Sequence, residues 1–115
     1  MKAIIYGRAH RNDRKLAAQM EKLRKYCQDN GYEVVREVAD CCSGSQIGDN
    51  LISLIREPVK EYDTIIIRDP SRVSRELVKM VETVRMIRSN GIRILFTEMK
   101  ELNAPGKKHL NLKVS

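Results

Sequence analysis

Several polar residues with the chemistry to bind or transfer phosphate follow short apolar segments in this chain. They form four groups: Arg8 with His10, Asp40 with Ser43, Arg68 with Asp69, and Arg72 with Arg75. A guanidinium binds phosphate oxygens by strong, charge-assisted hydrogen bonds, and a histidine can attack phosphorus. If the fold brings these groups together, arginines with one carboxylate and a Ser-Gly loop predict a phosphate or phosphodiester site.

The third apolar segment gives the clearest prediction of how such groups are positioned. Residues 64–67 are all β-branched without polar alternation, which predicts a strand buried on both faces. Asp69 then suits a helix N-cap and Pro70 the first helical position. Arg72 and Arg75 are three apart in the predicted first turn and share a face. Because cations there oppose the helix dipole by about 0.3–1 kcal/mol each, the placement favours an anionic ligand over mere solvation.

The remaining residues predict an alternation of strands and helices. Strands are predicted at 2–6, 32–39, 64–67 and 92–97, with 109–114 as a further edge strand, and helices at 13–30, 49–57 and 70–90. The small, polar residues 41–48 predict a mobile loop. This order predicts one α/β domain over 1–115: a doubly wound, mainly parallel sheet of four to five strands with helices on both faces. The four polar groups then lie at the carboxyl ends of strands, where such sheets bind ligands.

Composition narrows the class of partner and compartment. The 115 residues carry a net charge of +7, which favours an acidic partner such as nucleic acid. Three cysteines, two of them adjacent, do not suit a disulfide framework, and none has zinc-site spacing with histidine. The sequence predicts no metal, no cofactor, no membrane segment and no signal peptide. We therefore expect a cytoplasmic, nucleoid-associated protein.

Four short motifs, in order and in register, resemble the N-terminal catalytic domain of the serine recombinases, the resolvase/invertase family. They are Tyr-Gly-Arg-Ala at 6–9, Leu16 with Gln19, Asp-Cys-Cys-Ser-Gly at 40–44, and Ser-Arg-Val-Ser-Arg at 71–75. The resemblance runs from residue 1 to about residue 97. It implies a DNA recombination domain that exchanges strands within an oligomer.

The resemblance also implies roles for individual residues. In that family a serine near the end of the first strand attacks a DNA phosphate, and arginines stabilise the transition state without a metal. Carried over to this chain, the phosphate clamp is Arg8, Arg72 and Arg75. Asp40 falls on the family's carboxylate and Gln19 on its glutamine. The nucleophile position is occupied by His10, so we expect impaired cleavage.

Other positions also depart from the family pattern. The arginine expected shortly before Leu51 is replaced by Gly48 or Asp49, and Ser71 replaces an aspartate. After Glu98 we expect no counterpart of the family's long helix and no helix-turn-helix module. We therefore expect binding to DNA and assembly with itself or with another recombinase.

Two alternatives stay open. In the first, an active DNA-cleaving enzyme uses a substitute nucleophile, either His10 or one of the hydroxyls near the site; these are Ser43, Ser45, Ser71 and Ser74. In the second, the chain is a small phosphate- or nucleotide-binding regulatory domain. Against the second, the sequence has neither a Gly-x-Gly-x-x-Gly nor a Walker A motif.

Overall fold

The computed structural model describes residues 1–11 and 13–98, which form four strands and three α-helices in strict alternation. The elements are β1 (Lys2–Ala9), α1 (Arg14–Asn30), β2 (Glu33–Cys41), α2 (Asp49–Arg56), β3 (Thr64–Ile67), α3 (Leu77–Ser89) and β4 (Arg93–Phe96). The predicted alternation is confirmed. The edge strand predicted at 109–114 lies outside the described residues.

The four strands form one parallel sheet in the order β2-β1-β3-β4. From β1 the chain moves outward to β2 and then crosses back over β1 to reach β3 and β4. The direction of winding therefore reverses between β1 and β3. In doubly wound sheets, the crevice at the carboxyl ends of the two strands at such a reversal is the usual ligand site.

Both faces of the sheet are covered, as predicted. The isoleucines of β3 are fully buried and alternate between two apolar clusters. Ile66 packs with α1 residues such as Leu23, whereas Ile65 and Ile67 lie with residues of α2 and α3. This explains why β3 has no polar alternation: each face of the strand meets a helix layer.

The first strand is longer than predicted. The sequence predicted a loop from Gly7 onward, but Gly7, Arg8 and Ala9 continue the ladder and pair with β2. On the α1 side, the Gln19 amide completes the hydrogen bonding of the Arg8 backbone, since Oε1 accepts from the amide N–H at 2.9 Å and Nε2 donates to the carbonyl at 3.0 Å. Asp40, opposite Arg8, consequently lies inside β2 and not just past its end.

The third helix is divided, where the sequence predicted a continuous one. Asp69 caps a single 3₁₀ turn, Pro70–Arg72, by accepting from the amide of Ser71 at 2.9 Å, and regular α-helix begins only at Leu77. The predicted cap is confirmed and the predicted helix start is wrong.

The break between the two helical pieces has a local cause. Val73 is fully buried, and Ser74 Oγ accepts from the amide of Glu76 at 3.0 Å. A serine that bonds to nearby backbone competes with helical hydrogen bonding. As a result Leu77, which the periodicity assigned to the apolar stripe, is 55% exposed.

Candidate functional site

A small cleft of about 190 Å³ lies at the carboxyl ends of β1 and β3, where the winding reverses. We call it the basic cleft. Its lining residues are Arg8, Ala9, His10, Cys42, Gly44, Ser71, Arg72 and Arg75. The structure thus brings together two of the four predicted groups, and it leaves Gln19, Asp40, Ser43 and Arg68 outside the lining.

Arg72 lies half-buried against the end of β1. Its Nη1 donates to the carbonyl of Arg8 at 2.9 Å, while its buried Nε has no hydrogen-bond partner among the described residues and lies 3.8 Å from Asp69 Oδ2. Burial lowers the pKa of Arg72 below its ordinary value, and Asp69 opposes that shift. A buried donor without an acceptor costs roughly 1–3 kcal/mol.

Arg75 is exposed on the other side of the basic cleft. Its backbone N–H donates to the Gly44 carbonyl at 2.7 Å, and its side chain lies directly across Gly44. Within residues 1–11 and 13–98, no carboxylate lies within ion-pair distance of its guanidinium. Its planar fork of N–H donors is therefore available to a ligand.

Arg8 is only 2% exposed, although it lines the basic cleft. Its guanidinium donates to three backbone carbonyls: Gly44 at 2.6 Å, Val73 at 3.0 Å, and Gln46. Three of its five N–H donors are thereby committed within the protein.

The loop from Cys42 to Gly48, which we call the 42–48 loop, is anchored where the sequence predicted mobility. Arg8 holds the carbonyls of Gly44 and Gln46, and the Ser74 hydroxyl donates to the carbonyl of Ser45 at 3.1 Å. Ser43 Oγ lies on the outer side of the loop, 3.1 Å from Ser45 Oγ. The anchors come from β1 and from the 73–75 segment, and no pattern within the loop itself could have predicted them.

Asp40 is a buried carboxylate whose acceptors are all used by the scaffold. It accepts from the Tyr6 hydroxyl at 2.6 Å and from the amides of Asn50 and Leu51 at 2.9 and 3.1 Å. It therefore caps α2. Burial, and secondly the bond to Asp40, raise the pKa of Tyr6 well above its ordinary value. Gly48 makes room for this cap, since a Cβ there would lie 2.0 Å from Asp40 Oδ2.

Asp69 is the centre of a second polar group at the rim of the basic cleft. Its carboxylate accepts from the Ser71 hydroxyl and lies 3.5 Å from Arg68 Nε. Arg68 Nε also lies 3.4 Å from Glu98. With two carboxylates beside it, Arg68 is less available to a phosphate than Arg75.

His10 is exposed at the edge of the basic cleft, just past the end of β1. Its imidazole has no hydrogen-bond partner among the described residues. Sequence reasoning placed His10 here, but it missed Cys42 as a lining residue and Gly44 as the surface beneath Arg75. Neither has a sequence signal, because each contact joins the 42–48 loop to an element about thirty residues away or more.

In the part of the chain that the structure describes, no three His, Cys, Asp or Glu side chains are grouped so that they could hold a metal ion. None of the helices in residues 1–11 and 13–98 has the length and apolarity needed to cross a membrane.

The fold and the basic cleft define a parallel α/β domain with arginines gathered at its switch point. Comparison with known families agrees with this class. The sequence model described as the resolvase N-terminal domain matches residues 3–113, nearly the whole chain. The protein belongs to the resolvase N-terminal domain family, and the resemblance drawn from the four motifs is confirmed.

Similar proteins include the transposon Tn3 resolvases of Escherichia coli and Klebsiella pneumoniae. Each is 24% identical over 98 residues, covering 85% of this chain and 51% of the relative. The chain therefore spans about half the length of these curated relatives.

Solved structures share the fold. The N-terminal catalytic domain of TP901-1 integrase has a TM-score of 0.79 at 23% identity, covering 97% of this chain and 88% of that one. The C-terminal catalytic domain of ISC1926 TnpA, described as an IS607-like serine recombinase, has a TM-score of 0.76 at 22% identity, covering 97% and 78%. The predicted resolvase-like α/β fold is confirmed.

Proposed function

We propose that this domain binds the phosphate backbone of DNA in the basic cleft and lacks the serine-based cleavage of its family. One observation carries the proposal. Arg72 and Arg75 both line the basic cleft; within residues 1–11 and 13–98, Arg72 Nε has no hydrogen-bond partner and Arg75 has no carboxylate within ion-pair distance. His10 occupies the position at which the resemblance expects the serine nucleophile.

The charge balance supports a polyanionic ligand. The chain carries a net charge of +7, and the carboxylates near the basic cleft are already engaged: Asp40 by α2 and Asp69 by Ser71 and the neighbouring arginines. Asp69 Oδ2 remains 3.8 Å from Arg72 Nε, whereas Arg75 offers a phosphate a guanidinium with no carboxylate within ion-pair distance among the described residues. Desolvation strengthens such charge-assisted hydrogen bonds relative to those on an open surface.

The relatives suggest the setting in which such binding is useful. Two are named as transposon resolvases, and the structural neighbours include recombinase catalytic domains. We therefore propose that the domain acts on DNA in the nucleoid, assembled with copies of itself or with another recombinase subunit. A subunit that binds but does not cut would regulate strand exchange by occupying a place in that assembly.

Binding is tested with matched arginine variants on duplex DNA. Arg72→Gln and Arg75→Gln are each expected to weaken binding by about tenfold, as loss of a charge-assisted contact worth about 1.5 kcal/mol or more implies. Arg56→Gln is the control, because Arg56 is an exposed arginine in the last turn of α2 and does not line the basic cleft. Equal affinities for all three variants and the wild type would contradict the proposal.

Cleavage is tested separately by trapping protein–DNA adducts on supercoiled plasmid with the wild type and His10→Ser. The proposal expects no adduct with the wild type. An adduct with His10→Ser would strengthen it, since the cleft would then hold a phosphate where a nucleophile is missing. An adduct of the wild type through His10 would contradict it.

One observation favours a second candidate, cleavage by a substitute serine. Ser71 is the only one of the four candidate hydroxyls that lines the basic cleft, and it donates to the Asp69 carboxylate. In that reaction Ser71 Oγ bonds to phosphorus and its proton passes to Asp69. The bond from phosphorus to one ester oxygen then breaks, and the departing oxygen takes a proton from water.

A wild-type adduct that Ser71→Ala abolishes would establish this second candidate. Ser43→Ala is its control, because Ser43 is exposed and lies outside the lining of the basic cleft. An adduct that survives Ser71→Ala would remove Ser71 from consideration.

A further inference from the structure

We infer that Arg8 is a positioning residue that acts through the 42–48 loop on Arg75, and that it does not itself neutralise a DNA phosphate. The inference rests on the proposed function and deepens it, because it divides the predicted three-arginine clamp into two ligands and one support.

The first step is the environment of the Arg8 guanidinium. Nη1 donates to the carbonyls of Val73 and Gln46, and Nη2 donates to the carbonyl of Gly44 at 2.6 Å. With 2% of the residue exposed, almost no guanidinium surface faces the basic cleft. Because the guanidinium is held by three carbonyls and is almost wholly covered, a phosphate in the basic cleft could pair with it through two parallel hydrogen bonds only if the guanidinium moved and gave up bonds to those carbonyls.

The second step joins the 42–48 loop to Arg75. The Gly44 carbonyl accepts from both Arg8 Nη2 and the Arg75 amide, at 2.6 and 2.7 Å. The Arg75 side chain then passes over Gly44 so closely that an added Cβ would lie 2.8 Å from its Cδ and 3.0 Å from its Nε. Arg8 fixes Gly44, and Gly44 supports the guanidinium that faces the ligand.

Loss of the Arg8 guanidinium and the substitution Gly44→Ala would each disturb the position of Arg75. Without the Arg8 guanidinium, the carbonyls of Val73 and Gln46 lose its hydrogen bonds, and the Gly44 carbonyl keeps only the Arg75 amide as a donor. The surface beneath Arg75 is then held less firmly. Gly44→Ala displaces the Arg75 side chain directly, because the added Cβ occupies the space through which that side chain passes. The obstructed atoms belong to a flexible exposed side chain, so Arg75 swings aside and the fold is retained.

The experiment is a mutant cycle read by the salt dependence of DNA affinity. Each phosphate neutralised on duplex DNA contributes about 0.9 to the slope of log affinity against log salt. Arg75→Gln is expected to reduce the slope by about 0.9, so that its loss of affinity between 50 and 200 mM salt is about 3.5-fold smaller than that of the wild type. Arg8→Met in the wild-type background is expected to reduce the slope by a similar amount, since Arg75 is then misplaced.

The decisive comparison is Arg8→Met with Arg75→Gln against Arg75→Gln alone. If Arg8 acts through Arg75, the double variant has the slope of the single variant. A further reduction of about 0.9 would overturn the inference, because Arg8 would then contact a phosphate of its own. A folded Arg8→Met with wild-type affinity and slope would also overturn it.

Gly44→Ala keeps the inference testable if Arg8→Met does not fold. It is expected to match Arg75→Gln in affinity and slope, with no added effect in the double variant, whereas Ser45→Ala in the same loop is expected to match the wild type. Wild-type binding by Gly44→Ala would overturn the inference. If Arg72→Gln and Arg75→Gln themselves leave binding unchanged, the proposed function fails, and the inference fails with it.

Discussion

Asp40 and Arg75 lie near the same edge of the sheet, but the protein uses them differently. The buried Asp40 carboxylate accepts from Tyr6, Asn50 and Leu51, whereas the exposed Arg75 guanidinium has no carboxylate beside it among the described residues. We call these the scaffold half and the open half of the site; Arg8 and Gln19 belong with Asp40, and Arg72 belongs with Arg75. On the proposed function, the residues of the four sequence motifs divide into those that support the site and those that contact the ligand.

The largest effect on the free energy of unfolding is expected from a substitution in the scaffold half. Asp40→Ala leaves the Tyr6 hydroxyl and two amides of α2 without an acceptor, at about 1–3 kcal/mol each. We expect the free energy of unfolding to fall by about 3 kcal/mol or more, measured by urea denaturation. Asp49→Ala removes an exposed acid in the first turn of α2 and is expected to cost less than about 1 kcal/mol. Equal losses of unfolding free energy in Asp40→Ala and Asp49→Ala would contradict the structural role of the buried Asp40 carboxylate.

Gly48→Ala should act on the same cap by steric conflict. The backbone of Gly48 has φ −66°, which any residue can adopt, so the cost comes from a Cβ placed 2.0 Å from Asp40 Oδ2 and 2.6 Å from the Tyr6 hydroxyl oxygen. We expect a loss of about 1–3 kcal/mol in urea denaturation. An arginine at position 48, as the family pattern would suggest, would meet the same conflict. A stability equal to wild type would mean that the cap adjusts freely.

Alkaline pH offers a further test of the buried core behind the site. Burial raises the pKa of Tyr62 to about 12, whereas an unfolded tyrosine ionises near pH 10. The contribution of Tyr62 to the free energy of unfolding is therefore fully present below about pH 10. It falls as the pH rises towards 12, by up to about 1.4 kcal/mol per pH unit. Tyr62→Phe should show a shallower fall than wild type in urea midpoints between pH 8 and 11. If the urea midpoints of Tyr62→Phe and the wild type fell in parallel with pH, the raised pKa of Tyr62 would be contradicted.

The smallest effects on stability are expected in the open half. Arg75→Gln should change the free energy of unfolding by no more than about 0.5 kcal/mol, because its exposed side chain makes no hydrogen bond to the residues that the structure describes. Arg72→Gln loses one bond to the Arg8 carbonyl and should cost about 1 kcal/mol. Thermal or urea unfolding separates the two. A large loss of unfolding free energy in Arg75→Gln would show that Arg75 belongs to the scaffold half.

Much of the fold could be predicted from local patterns. The β-branched run at residues 64–67, the Asp69 cap and the turn at Gly31 each report a local preference that the structure keeps. The extension of β1 through Gly7 and Arg8 could not be predicted in this way. It depends on pairing with β2 and on the Gln19 amide, contacts with residues 11 to 32 positions away.

The site could be predicted in location more readily than in detail. The order of strands and helices places polar residues at the carboxyl edge, and the structure brings His10, Arg72 and Arg75 together there. Periodicity alone could not reveal the helix break at 73–76 or the commitment of Arg8 to loop carbonyls. Those features depend on which buried carbonyls need a hydrogen-bond donor. The carbonyls become buried only when segments distant in the chain pack together.

The most direct measurement of the central claim is the NMR response of arginine Nε–Hε groups to a short DNA duplex. If the basic cleft binds phosphate, Arg72 and Arg75 will show large shifts on adding DNA. Little change is expected for Arg24 and Arg36, which are paired through two hydrogen bonds each with Glu37 and Glu57. Shifts spread over other arginines, with Arg72 and Arg75 unmoved, would contradict phosphate binding in the basic cleft.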